Sequence, residues 1–91
     1  MTTLQVEAAA VREVSGTVYA LAQPARHHNV LHLMHERGVK PDSSDWGQGF
    51  LLNNGRYVNR KQAAMVALRA GQIKNIPIEN DRDYLLSEDL W

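Results

Sequence analysis

The side chains of this chain best suited to chemistry are Arg26-His27-His28, the aromatics Phe50 and Tyr57, and the pair Asn59-Arg60. The chemistry they suit is recognition. A guanidinium grips a phosphate through parallel N–H donors. Asn59 has the character of a helix N-cap, with Gln62 three residues on, where a capping box needs it. Arg60 is then the first helical residue, aimed at whatever occupies a helix start whose exposed N–H groups favour an anion. Phe50 and Tyr57 could stand near one another across a hairpin, their faces depending on register. A ring there can stack on a purine, at ~1–3 kcal/mol per base; core packing is the other fate of such aromatics. His27 is open in the same way, between a ligand oxygen and a backbone carbonyl. The candidate ligand-binding set is Arg26, His27, His28, Gln48, Phe50, Tyr57, Asn59 and Arg60.

Signs of catalysis are missing. There is no Gly-x-Ser-x-Gly, no phosphate-binding Walker loop and no His-Glu-x-x-His. Ser15, Ser43, Ser44 and Ser87 sit in turn-like contexts. A meeting of His27 with Asp45 in space is the one arrangement that would suggest an enzyme, and no catalytic residue is assigned. His28, His32 and His35 share one helix flank near Glu36 and could bind a transition metal. A solvated face explains them as well, so no metal and no cofactor is expected. The chain has no cysteine, which excludes disulfides and thiolate–zinc sites.

Charge is distributed in a way that supports a small anionic ligand. The formal net charge is zero, yet residues 46–76 carry five basic side chains (Arg56, Arg60, Lys61, Arg69 and Lys74) and no acidic one. Residues 77–91 carry five acidic side chains and one basic. A binder of nucleic-acid polymers would show an overall basic balance. The acidic tail folding back on the basic segment is the alternative use of this pattern.

These residues need elements to position them. Ninety-one residues make a single domain over 1–91, with no apolar run near the ~18–20 residues that span a bilayer; the expected location is the cytoplasm. Leu4–Val14 and Thr17–Leu21 read as two strands joined at Ser15-Gly16, although three consecutive alanines also suit a helix over Val6–Val14. Pro24 opens a helix over Ala25–Arg37 that Gly38 ends, with Val30, Leu31, Leu33 and Met34 on its apolar face and His27 near the centre of that face. Val39–Gly47 is a polar loop. Phe50–Leu52 and Arg56–Val58 form a hairpin about Asn54-Gly55, followed by a helix that Gly71 closes. Tyr84–Leu86 could add a strand, and Ser87-Glu88-Asp89 a last turn. The result is an α+β fold: a small antiparallel β-sheet, built from an N-terminal and a central hairpin, packed with two helices. So thin a core favours oligomers, with the Ala63/Ala67/Ala70 face and Leu90-Trp91 as the surfaces toward a neighbour.

PARHHNVLHLM at 24–34, QGFLLNNGRYVNRKQAA at 48–64, AGQI at 70–73 and LLSEDLW at 85–91 together resemble a family of short bacteriophage proteins, the anti-Thoeris proteins of the first type. These are sponges that sequester cyclic ADP-ribose isomers made by bacterial TIR-domain immune enzymes. The resemblance implies a ligand held without cleavage, in the host cytoplasm. It also implies a homodimer, or a trimer of dimers, and a separate site for cyclic oligonucleotides. Under it Phe50 stacks on adenine, while Asn59 and Arg60 contact ribose or phosphate. An inhibitor that docks on a host defence protein, as anti-CRISPR proteins do, would share this size, charge and compartment.

Overall fold

The computed structural model describes residues 3–74 and 84–91. Four strands, β1 (Val6–Arg12), β2 (Val18–Ala22), β3 (Gln48–Leu52) and β4 (Tyr57–Asn59), form an antiparallel sheet in the order β2-β1-β3-β4. Two helices, α1 (His27–Glu36) and α2 (Arg60–Arg69), complete an α+β fold, with a 3-10 turn at Ser87–Asp89.

Three alanines in a row favour a helix locally, but β1 is one of the sheet's two inner strands and pairs with β2 on one edge and β3 on the other. Two full ladders outweigh a propensity difference of less than ~1 kcal/mol per residue. The central hairpin turns at Asn54-Gly55, where Gly55 takes φ 85° and Leu52 N–H donates to the Arg56 carbonyl at 2.9 Å. A side chain there would be strained.

Both helices lie on one face of the sheet. Alternation along β1, interrupted by a register shift between Val6 and Ala8, sends Val6, Ala9 and Val11 to that face. Val30 and Met34 of α1 close over Val11, flanked by Tyr19 and Leu21. Ala63, Ala64 and Ala67 of α2 close over Phe50, Leu52 and Val58. Small side chains let α2 approach the sheet closely, so the alanine face is used up inside the chain. Ala63 and Ala67 are fully buried there and offer no surface to a neighbour.

Four expectations are corrected. Helix α1 begins at His27, because Pro24 lies in a turn closed by Ala25 N–H to the Ala22 carbonyl (3.1 Å) and Arg26 remains extended as the N-cap. Phe50 pairs with Val58 and Leu51 with Tyr57, so Phe50 and Tyr57 occupy opposite faces of the sheet. Tyr84–Leu86 forms no strand; Leu85 is buried in the core with its N–H donating to the Arg60 carbonyl at 3.1 Å. Leu90 and Trp91 pack on their own chain's core, and the Trp91 indole N–H donates to the Ala25 carbonyl at 2.9 Å. A strap over 84–91 therefore ties the start of α2 to the start of α1.

The 39–47 loop is pinned to β1. Arg12 Nη2 donates to Asp42 Oδ2 at 2.6 Å, Asp42 N–H donates to the Arg12 carbonyl, and Arg12 N–H to the Gly47 carbonyl. The Arg12 hydrogen bond, then those from Ser44, lower the Asp42 carboxyl from 3.8 to about 2. A depressed carboxylate pKa stabilises the fold above its unfolded value and loses that contribution as pH falls through the folded one. Asp42→Asn is therefore expected to melt below the parent at pH 7, with the gap closing between about pH 4 and pH 2. Melting curves at pH 7, 4 and 2 test this; a gap that is constant with pH would refute it.

Candidate functional site

At the start of α2 the chain builds a cap and a cleft together. Asn59 Oδ1 accepts from Gln62 N–H at 2.8 Å, and Gln62 Oε1 accepts from Asn59 N–H at 3.1 Å. The capping box fixes the first turn. It also engages the Asn59 side-chain oxygen. Asp45, Asn59, Arg60, Lys61 and Tyr84 line a cleft of about 240 Å³. The Arg60 guanidinium carbon lies 4.4 Å from the centre of the Tyr84 ring, a cation–π contact. Among the described residues, the side chains within ion-pair distance include Arg12–Asp42 and the exposed His32–Glu36, and neither pair involves Arg60. The described lining thus carries two basic side chains and one acidic one. Such a set is of a kind that suits an anion, with Asp45 as an acceptor for hydroxyl or amine donors.

Tyr57 buttresses one wall. Its ring crosses Gly49, where a Cβ would stand 2.1 Å from the Val58 carbonyl oxygen and 2.8 Å from the Tyr57 ring. Its hydroxyl donates to the Trp46 carbonyl at 2.6 Å, holding the segment that carries Asp45. Burial pushes the Tyr57 phenol up to about 12, against the opposing pull of Arg12.

The expected site residues fall into three places. Asn59 and Arg60 line the cleft. Phe50 is fully buried in the core, with the His27 ring edge-on to it at 4.8 Å and 81°. His27 is itself buried and its Nε2 lies 2.7 Å from the Gly49 carbonyl oxygen, so that nitrogen carries the proton and donates. Of its two readings, the structure shows the backbone carbonyl. Gln48 is half-buried beside Val11 on the neighbouring strand. Arg26 donates through Nε to the Trp91 backbone oxygen at 2.9 Å and does not line the cleft, while His28 is exposed. Among the described residues no group of His, Asp or Glu is placed to hold a metal ion.

One protein-family model, described as the phage T4 y16D protein, matches residues 5–91. The chain belongs to that family. No curated protein and no solved structure matches it. The y16D match takes in every residue of the cleft and the whole strap.

Sequence reasoning did not assign Asp45, Lys61 or Tyr84 to the site of this y16D-family chain. Lys61 was within reach, since it directly follows Arg60 at a helix start. Tyr84 was not. It stands 24 residues from Arg60, and only the docking of Leu85 against α2 brings it there.

Proposed function

We propose that this y16D-family chain is a phage anti-defence sponge that binds and holds, without cleaving, a cyclic ADP-ribose-type signalling nucleotide. The observation that carries the reading is Arg60, a cation with no carboxylate partner among the described residues, lying in a cleft beside an aromatic ring and an acidic acceptor. Phosphate on Arg60 and Lys61, a ribose hydroxyl on Asp45 and a flat base on the ring would use four of the five side chains that line the cleft. Arg60 serves as a clamp rather than as an acid or base. The resemblance to phage sponges supports the same ligand class.

A cleft of about 240 Å³ is below the ~300–1,000 Å³ of sites that enclose a drug-sized ligand. A second copy completing the walls is part of this reading, as a homodimer or a trimer of dimers in the host cytoplasm. The protein-docking alternative has one observation in its favour: Trp46 is 40 % exposed next to Asp45.

Calorimetry with cyclic ADP-ribose isomers should show tight binding, and heating the complex should return the nucleotide intact. Arg60→Ala should weaken binding by about 1.5–3 kcal/mol, the value of a charge-assisted hydrogen bond, with little change in melting temperature. Failure to bind any cyclic ADP-ribose isomer or cyclic oligonucleotide would end the proposal. Recovery of a cleaved product would make the protein an enzyme.

A further inference from the structure

We infer that β2 is the surface through which two copies of this chain join, by antiparallel pairing of β2 with itself about a two-fold axis at Ala20. The order β2-β1-β3-β4 leaves the sheet with two edges. The β4 edge is blunt: it spans three residues, runs directly into α2, and its Asn59 N–H is already bound to Gln62 Oε1 at 3.1 Å. The β2 edge is open over five residues. Glu13 N–H donates to the Thr17 carbonyl at 2.7 Å, and alternation from that pair turns the backbone groups of Tyr19 and Leu21 toward β1. Those of Val18, Ala20 and Ala22 therefore point away from the sheet. Among the described residues, the one partner these outward groups have is the Ala25 N–H, held by the Ala22 carbonyl at 3.1 Å.

Natural sheets blunt such an edge with a charge, a proline or a bulge. The β2 sequence VYALA has no charge and no proline, and its register against β1 is unbroken. The strand also complements itself. A two-fold axis at Ala20 sets Ala20 against its own copy, Val18 against the copy of Ala22, and Tyr19 against the copy of Leu21. Every outward N–H then meets a carbonyl, the Ala22 carbonyl using its second lone pair. Tyr19 and Leu21 are partly buried against Val11, Val30 and Met34. Pairing carries that cluster across the axis through an aromatic–aliphatic contact of a favourable kind. The surfaces that the sequence suggested for a neighbour, the alanine face and Leu90-Trp91, are spent inside the chain. The cleft lies beside β4, at the other edge of the sheet. A β2 dimer leaves it open, and a contact that completes the cleft is then a second interface.

The test is light scattering and amide hydrogen exchange of the full chain from low to high micromolar concentration. The mass should double, and protection of the Val18, Ala20 and Ala22 amides should rise with it. The Tyr19 and Leu21 amides, bonded to β1, should be protected throughout. Ala20→Lys and Ala20→Glu each set like charges directly opposite one another and should weaken self-association about 5-fold or more. Mixing the two variants should restore a heterodimer, because position 20 then meets the opposite charge. Melting curves establish that the variants are folded, and exchange in the parent does not depend on them. A parent that stays monomeric overturns the inference and leaves the β2 edge to a strand from another protein. A dimer whose Ala20 exchange ignores concentration overturns it too, as does a loss in both charged variants that mixing fails to restore. Cyclic ADP-ribose binding is measured separately: a monomer that binds the nucleotide sinks this inference and keeps the sponge reading, and a β2 dimer that binds none does the reverse.

Discussion

Phe50→Ala is expected to destabilise the chain by about 3–5 kcal/mol, the usual cost of emptying a fully buried aromatic site. Phe50 is at 0 % exposure between Ala9 and Val58 on neighbouring strands, under α2 and against His27. Ala63, Ala64 and Ala67 have no long side chains with which to refill the space. In a domain of this size each kcal/mol moves the midpoint by ~4–8 °C, so a shift beyond 12 °C should be measurable, and a marginal fold would be lost. The more telling variant is Phe50→Leu, which preserves most of the volume and removes the ring. If Phe50 is a core residue, Phe50→Leu should bind cyclic ADP-ribose as the parent does once melting curves show it folded. A folded Phe50→Leu protein with binding lost would return Phe50 to the role that the family resemblance implies for it, and would mean that this part of the core opens to ligand.

What could be read from the chain depended on the distance over which each decision is made. The Asn59–Gln62 capping box, the Asn54-Gly55 turn and the burial of His27 are all set within a few residues, and spacing revealed each of them. Phe50 was different, because its face depends on the register of β3 against β1 and β4, which no local pattern fixes. The alanine stripe at Ala63 and Ala67 was legible as a close-packing face; that the surface it meets is the chain's own sheet was not. The pin between Arg12 and Asp42 spans thirty residues and turned a polar, loop-like sequence into an anchored wall. Tyr84 is the extreme case. Its place depends on the docking of Leu85 against the start of α2, and no composition signal marks such a long-range contact. Half of the cleft was therefore visible as a charged helix start, and the half that gives it an aromatic side was hidden.

Trp91→Ala should show how far the strap supports the cleft. The indole is half-buried against the core cluster that holds Phe50 and Leu85, and its N–H donates to the Ala25 carbonyl at 2.9 Å. Arg26 reaches back through Nε to the Trp91 backbone oxygen at 2.9 Å. Removing the ring should cost roughly 2–3 kcal/mol, below the ~3–5 of a fully enclosed tryptophan, and lower the midpoint by roughly 10–20 °C. Trp91→Phe retains most of the packing and gives up the hydrogen bond, so it should lose only about 0.5–1.5 kcal/mol. Since Tyr84 and Leu85 share this segment, Trp91→Ala should also weaken cyclic ADP-ribose binding at temperatures where the protein is still folded. Hydrogen exchange at the Leu85 amide reports the undocking directly, because that N–H is held by the Arg60 carbonyl. Faster exchange at Leu85 together with weaker binding would tie the strap to the site. An unchanged melting curve with unchanged exchange would show that Trp91 merely rests on the surface and that the cleft keeps its Tyr84 by other means.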